Sequence, residues 1–225
     1  MKIRWHSQSA YTLTGANHTV SIDPFGDLGA LLGGRRRFAY PPVPEHDADV
    51  LLVTHEHGDH NAVEAIGGEP AVVRSRAGRH GSPVGEVVGV ASEHDAVAGT
   101  ERGANTVMCF ELDGLRICHL GDFGQPGLRP EQLEAIGAVD VLFVPVGGGP
   151  TIGGTAAADL VRELAPRLVV PMHYRTDAVS FLEPPDVFLE ALGARVERLE
   201  TSETEVEALL GTAAEPVVAL LAPPV

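Results

Sequence analysis

The run Asp49-Val50-Leu51-Leu52-Val53 leads straight into Thr54-His55-Glu56-His57-Gly58-Asp59-His60, and this junction constrains the chain more than any other segment. An apolar run of that length reads as a β-strand buried on both faces, which requires cover on each side of its sheet. The polar block follows where such a strand leaves the sheet. Two histidines one residue apart on an extended turn can point at one metal ion, while the aspartate and the third histidine reach a second. A catalytic pair of divalent ions needs neutral imidazole and carboxylate donors, with coordination positions left open for water. The competing reading is a solvated, histidine-rich turn. Four ligand-type residues in six positions argue against it.

Composition supports the metal reading. The chain has ten histidines and two cysteines. Histidine is the commonest metal ligand, and two cysteines make neither a disulfide framework nor a thiolate cage. Sixteen Lys plus Arg against 31 Asp plus Glu leave a formal charge of −15. That balance argues against nucleic acid and anionic membranes as partners, because phosphate binding needs a basic surface. With 44% hydrophobic and 21% charged residues, 225 residues suffice for a full core in a single domain spanning 1–225. There is no apolar run near 20 residues, and Met1–Tyr11 carries no hydrophobic signal segment, so the expected location is cytoplasmic.

Periodicity predicts alternating strands and helices. Strands are expected over Ile3–His6, Ala10–Thr14, Thr19–Ile22 and Val50–Val53. A long surface loop is expected from Phe25 to Asp47, carrying Arg35-Arg36-Arg37, which reads as a solvated charge run. Asp113-Gly114 predicts a two-residue hairpin turn within Thr106–Leu120, pairing Leu112 with Leu115, Glu111 with Arg116, Phe110 with Ile117 and Cys109 with Cys118. In a reducing compartment these cysteines read as two buried thiols. Later, helix and strand alternate over Pro130–Ile136, Val139–Pro145, Thr155–Leu164 and Leu168–Pro171, then Pro185–Leu192 capped by Gly193, and Arg195–Leu199. His18, His46 and His80 stand in polar or turn-like contexts and are expected to face solvent.

Six residues cannot complete two metal sites. His94, Asp122 and His173 each follow a strand-like apolar run, where a side chain can be held rigidly at a sheet edge. With the early Ile22-Asp23-Pro24-Phe25, the H-x-H-x-D-H block, the stretch Gly99–Gly121, Pro145-Val146-Gly147-Gly148 and Pro171-Met172-His173-Tyr174, the sequence resembles the metallo-β-lactamase superfamily of metal-dependent hydrolases over nearly its whole length. It is most similar to a compact bacterial branch near the ascorbate-phosphate lactonase-like and phospholipase-like groups. The resemblance implies a four-layer αβ/βα sandwich, two mixed sheets flanked by helices, with the site at one edge between the sheets.

Carried over position by position, the resemblance assigns His55, His57 and His94 to a first ion and Asp59, His60 and His173 to a second, with Asp122 bridging both. It gives Asp23 a supporting role behind a ligand loop. Where many relatives show Gly-His-Ser, this chain has Ser7-Gln8-Ser9, so no titrating group stands there. The implied chemistry is hydrolysis of a small ester, lactone or phosphodiester by a hydroxide shared between two divalent ions, zinc first, with manganese or iron tolerated. Asp59 and Asp122 are the expected catalytic carboxylates. His119 reads as a buried imidazole behind the ligands, and Arg175 and Asn105 as candidate contacts to a small, anionic substrate. Two alternatives use the same scaffold: an iron-dependent redox enzyme resembling thiol dioxygenases, and a non-catalytic metal-binding protein. Diiron relatives usually carry Glu at the position of His57 and an attached flavin domain; this chain has neither.

Overall fold

The computed structural model describes residues 1–28 and 38–224; Arg35-Arg36-Arg37 lie outside the described residues. Strands β1 (Lys2–Ser7), β2 (Ala10–Thr14), β3 (Thr19–Ile22), β5 (Val50–Val53), β7 (Ala71–Arg74) and β15 (Glu203–Glu205) form a first mixed sheet, ordered β15-β1-β2-β3-β5-β7. Strands β8 (Gly78–Ser82), β9 (Gly85–Glu93), β10 (Ala104–Leu112), β11 (Leu115–His119), β12 (Val141–Pro145), β13 (Leu168–Met172), β14 (Arg195–Arg198) and β16 (Val217–Leu220) form the second, ordered β14-β16-β13-β12-β11-β10-β9-β8. Helices Gly154–Leu164 and Asp186–Leu192 pack on each other, and Pro130–Ile136 packs on β9.

Burial along β5 explains why its residues are uniformly apolar. Val50 and Leu52 belong to the main core, whereas Leu51 and Val53 pack outward against Ala48 and Ile66, with Val63 and Ala65 alongside. Among the described residues the outer cover of this strand is thin: a one-turn 3-10 helix, Val63–Ala65, and a small ribbon in which β4 (His46–Asp47) pairs with β6 (Ile66–Gly67). The two sheets meet through large rings. Tyr11 lies edge-on to Phe143 with centroids 4.6 Å apart, and Trp5 sits 5.4 Å from Tyr174.

The Asp113-Gly114 hairpin has the expected register, Cys109 opposite Cys118 and Phe110 opposite Ile117. Both turn residues have positive φ (51° and 75°), as a type I′ turn requires. The two thiols are buried and unbonded. Gly193 caps its helix in the left-handed region at φ 66°.

One irregularity matters for the site. The β1–β2 register shifts between Trp5 and Ser7, and Ser7 and Gln8 take φ of 100° and 49°. Such a bulge re-aims the side chains that follow it. Here it turns Gln8 and Ser9 toward the ends of the second sheet's strands, where the Gln8 carbonyl accepts His173 N–H at 3.3 Å.

Candidate metal centre

All seven expected ligands leave the sheets at the carboxyl ends of strands. His55, His57, Asp59 and His60 follow β5, His94 follows β9, Asp122 follows β11 by two residues, and His173 follows β13 directly. The strands are held rigidly in both sheets, so the side chains at their ends inherit fixed positions. His173 itself has φ 52°, and a Cβ on Gly147 would lie 2.1 Å from the His173 carbonyl oxygen. Only glycine at position 147 lets this ligand's backbone sit so close.

The seven converge. Donor atoms of His55, His57 and His94 lie within 4.8 Å of one another, as do those of His55, His60 and Asp122. Oδ2 of Asp122 lies 3.1 Å from His94 Nε2 and 3.4 Å from both His60 Nε2 and His173 Nε2. Oδ2 of Asp59 lies 3.8 Å from His60 Nε2. The first expected trio is thus compact. His55, which the resemblance assigns to the first ion, also groups with His60 and Asp122, its ring 4.1 Å from that of His60. Asp122 contacts ligands of both groups.

What fixes these rings is a chain of hydrogen bonds centred on Asp23, fully buried and itself at φ 47°. Its Oδ1 accepts Thr54 N–H at 2.8 Å, and its Oδ2 accepts the Thr54 hydroxyl at 2.8 Å and His60 Nδ1–H at 3.0 Å. With its proton given to Asp23, the Thr54 oxygen accepts from His55 Nδ1 at 3.0 Å. His94 Nδ1 donates to the Pro150 carbonyl at 3.0 Å. In each case a proton sits on Nδ1, so Nε2 is the nitrogen that faces the cluster and the one that offers its lone pair to an ion. His55 Nε2 and His60 Nε2 are accordingly buried without a hydrogen-bond partner. Bare, buried imidazole nitrogens around a carboxylate are unfavourable alone and match what divalent cations require, so the donor set fits metal ions.

Asp122 is positioned from three sides. Its N–H bonds Asn105 Oδ1 at 3.1 Å, Ser9 Oγ donates to its Oδ1 at 3.1 Å, and its Oδ2 faces the imidazoles. The preceding Gly121 has φ 59°, and a Cβ there would fall 2.5 Å from Asn105 Oδ1. His119 is fully buried between the sheets, with Nε2 donating to the Ser9 carbonyl at 2.9 Å and Nδ1 accepting Gly121 N–H.

The electrostatics follow from burial and neighbours. Burial lowers the pKa of His55, His57 and His173, and nearby imidazoles lower all three further. Burial also disfavours charge on His60, but Asp122, Asp59 and Asp23 outweigh it and raise its pKa well above the ordinary value. Burial acts against an ionised Asp122 as well, and is overcome by His173 and His60, which hold its carboxyl well below the usual range.

Several expectations need correction. Asn105 does not reach the cavity over the ligands: its Nδ2 donates to Ser92 Oγ and the Leu120 carbonyl, both at 2.8 Å, and its Oδ1 is spent on Asp122 N–H. Arg175 points away too, its Nε donating to the Leu182 carbonyl, because the chain turns back on itself there through a Thr176–Val179 bridge. The arginine that lines the cavity is Arg102. His18 and His80 keep side-chain surface open to solvent, as expected, whereas His46 is half-buried. His46 stacks 5.8 Å from His6, and Thr12 Oγ1 lies between their Nε2 atoms, 2.8 Å from His6 and 3.0 Å from His46. Sequence reasoning missed Thr54 and Ser9 as supports and Arg102 as a lining residue. Ser9 had a signal, since it is the one position of Ser7-Gln8-Ser9 that keeps the Gly-His-Ser pattern.

Comparison with known proteins identifies the family. A sequence model described as the β-lactamase superfamily domain matches residues 2–173. A metal-dependent hydrolase of Thermococcus kodakarensis, from an uncharacterised family, is 30% identical over 223 residues, covering 88% of this chain and 94% of that one. The chain belongs to the metallo-β-lactamase superfamily. Within it, the protein stands among the metal-dependent hydrolases. The solved structure of a Thermotoga maritima protein, assigned as a Zn-dependent hydrolase of this superfamily, superposes with a TM-score of 0.76 at 30% identity, covering 98% of both chains. A metallo hydrolase of Ignicoccus hospitalis, 19% identical with a TM-score of 0.63, covers 100% of this chain and 96% of its own and shares the fold. Among the described residues, no helix of this superfamily member is long and apolar enough to cross a membrane.

Proposed function

We propose that this hydrolase uses two divalent ions, zinc first, to cleave a small ester, lactone or phosphodiester. The observation that carries the reading is Asp122 Oδ2, placed within 3.4 Å of three imidazole nitrogens from three different strand ends. His55, His57 and His94 would hold one ion, Asp59, His60 and His173 the other, and Asp122 both. Bound there, the ions would polarise the scissile carbonyl or phosphoryl oxygen and lower the pKa of water to about 7.

The chain's own residues do the rest. Asp23 and Thr54 keep the protons of His60 and His55 on Nδ1, so both rings present a lone pair to the cluster. Ser9 occupies one oxygen of Asp122, leaving the other for the imidazole side. Asp59, half-buried at the cavity wall, is the carboxylate placed to orient an attacking water. Gln8 lines the same wall and stays neutral at every working pH.

Purified protein loaded with two equivalents of Zn²⁺ or Mn²⁺ should hydrolyse p-nitrophenyl esters or bis(p-nitrophenyl) phosphate, and His57→Ala should abolish turnover. Fully loaded protein that turns over none of a broad ester, lactone and phosphodiester panel would defeat the proposal.

A further inference from the structure

One wall of the cavity over the ligand cluster serves no metal chemistry. The cavity encloses about 110 Å³, and beside the ligands it is lined by Gln8, Leu28, Phe38, Arg102, Pro150 and Phe181. This is small against the roughly 300–1,000 Å³ of pockets for drug-sized ligands, which points to a compact substrate. Leu28 and Phe38 are buried in an apolar cluster with Phe25, Tyr40, Val179 and Leu182, and Phe181 packs against it. The wall is therefore a firm apolar surface.

Arg102 is the cation on this wall. Among the described residues, only Arg76, Arg102 and Arg198 carry a guanidinium with no hydrogen bond or ion pair, and of these only Arg102 lines the cavity. Its backbone is fixed. The buried carboxylate of Asp95, next to His94, accepts N–H groups from Val97, Gly99, Glu101 and Arg102 at 2.7–3.0 Å, which binds the loop to the strand end that carries a ligand. In a chain of formal charge −15, an anion approaching the site meets an unfavourable field, so a locally placed cation has an evident use. A second observation marks this cavity as a ligand site. Gln8 is 2% exposed, its Oε1 has no partner, and it lines the same cavity. A buried acceptor without a donor is unfavourable, and the donor is then an O–H or N–H of what fills the cavity, a water or a part of the ligand other than its anionic group.

Resting on the hydrolase reading above, we propose that the substrate is a small carboxylate-bearing molecule. Its carboxylate is held by the Arg102 guanidinium, its carbon skeleton packs on Leu28, Phe38 and Phe181, and its scissile bond lies beside the ligand cluster. A planar monoanion suits one guanidinium fork; a phosphate dianion would ask for more donors than the wall offers.

Two measurements on metal-loaded protein test this. The first compares mono-p-nitrophenyl glutarate with p-nitrophenyl valerate, which has the same chain length and no free carboxylate. The kcat/KM ratio should favour the glutarate ester at least tenfold, fall at least tenfold in Arg102→Gln through KM, and recover in part in Arg102→Lys. The second is calorimetric binding of glutarate, expected at least tenfold weaker in Arg102→Gln. The guanidinium carries none of the loop's hydrogen bonds, so an unchanged thermal melt should confirm that the variant folds. Equal glutarate affinity in wild type and Arg102→Gln overturns the proposal. If neither ester is cleaved, ester hydrolysis by this site fails by itself, and glutarate binding still decides the recognition wall.

Discussion

Replacing Asp23 by Asn changes one atom of a fully buried side chain, and the hydrogen-bond pattern predicts where the damage falls. The retained Oδ1 still accepts Thr54 N–H, now at 2.8 Å. The new amide donor would face His60 Nδ1, now 3.0 Å away, and the Thr54 hydroxyl, now 2.8 Å away. Two donors cannot share that space. His60 relieves the conflict by moving its proton to Nε2, the nitrogen that lies 3.4 Å from Asp122. An imidazole protonated there cannot ligate, so the ion served by His60 must pull the ring back to its less favoured tautomer. Loss of such a supporting carboxylate weakens metal affinity by about 10–100-fold, roughly 1.4–2.7 kcal/mol. Titration against a chromophoric chelator, with metal content by mass spectrometry, would read the weaker ion directly. Melting the metal-free variant would show that the fold survives. Two-ion affinity unchanged in Asp23→Asn would refute the tautomer argument.

Three further outcomes follow from other parts of the molecule. Gly147→Ala should destabilise the protein by about 2–3 kcal/mol, because a Cβ placed 2.1 Å from the His173 carbonyl must displace backbone; thermal or urea unfolding would measure it. The His60 pKa is raised, so metal-free protein carries a proton that the ion must displace; affinity should fall as pH is lowered, on the order of tenfold per unit for each proton released, read by chelator competition between pH 8 and 6. His6, buried and then opposed by the charges of His46 and Arg4, has its pKa lowered to about 4 from 6.5. Its contribution is fully present above pH 6.5 and lost as pH falls toward 4, worth about 3 kcal/mol over that window. Urea unfolding at pH 7 and pH 4.5 should therefore show a smaller pH effect in His6→Gln than in wild type.

The sequence announced the parts of this fold that rest on local rules. Asp113-Gly114 set the hairpin register residue by residue because both positions accept positive φ, and the all-apolar β5 was legible because both of its faces are covered. The strands β7, β8 and β9 left no such trace. Gly78–Ser82 is a polar, mostly exposed edge strand, and β9 has two exposed residues before its buried run, so neither alternation nor apolar continuity marks them. Strands β15 and β16, three and four residues long, are defined by partners distant in sequence.

The site divides along the same line. Residue type and position after strands pointed to the seven ligand-type side chains, and the structure gathers them. Their supports were less visible. Thr54 is an ordinary strand-end threonine until its hydroxyl is seen between Asp23 and His55, and Ser9 reaches Asp122 only because of the bulge at Ser7. Asn105 and Arg175 looked available because sequence does not show that their polar atoms are already taken, while Arg102 looked ordinary because its position depends on the loop that Asp95 folds.

The central claim is a pair of ions joined by Asp122, and an anomalous-difference map from crystals grown with zinc tests it most directly. The account predicts two peaks per chain flanking the Asp122 carboxylate, one bounded by His55, His57 and His94 and the other by Asp59, His60 and His173. A single peak, or zinc seated away from Asp122 in fully loaded crystals, would contradict it.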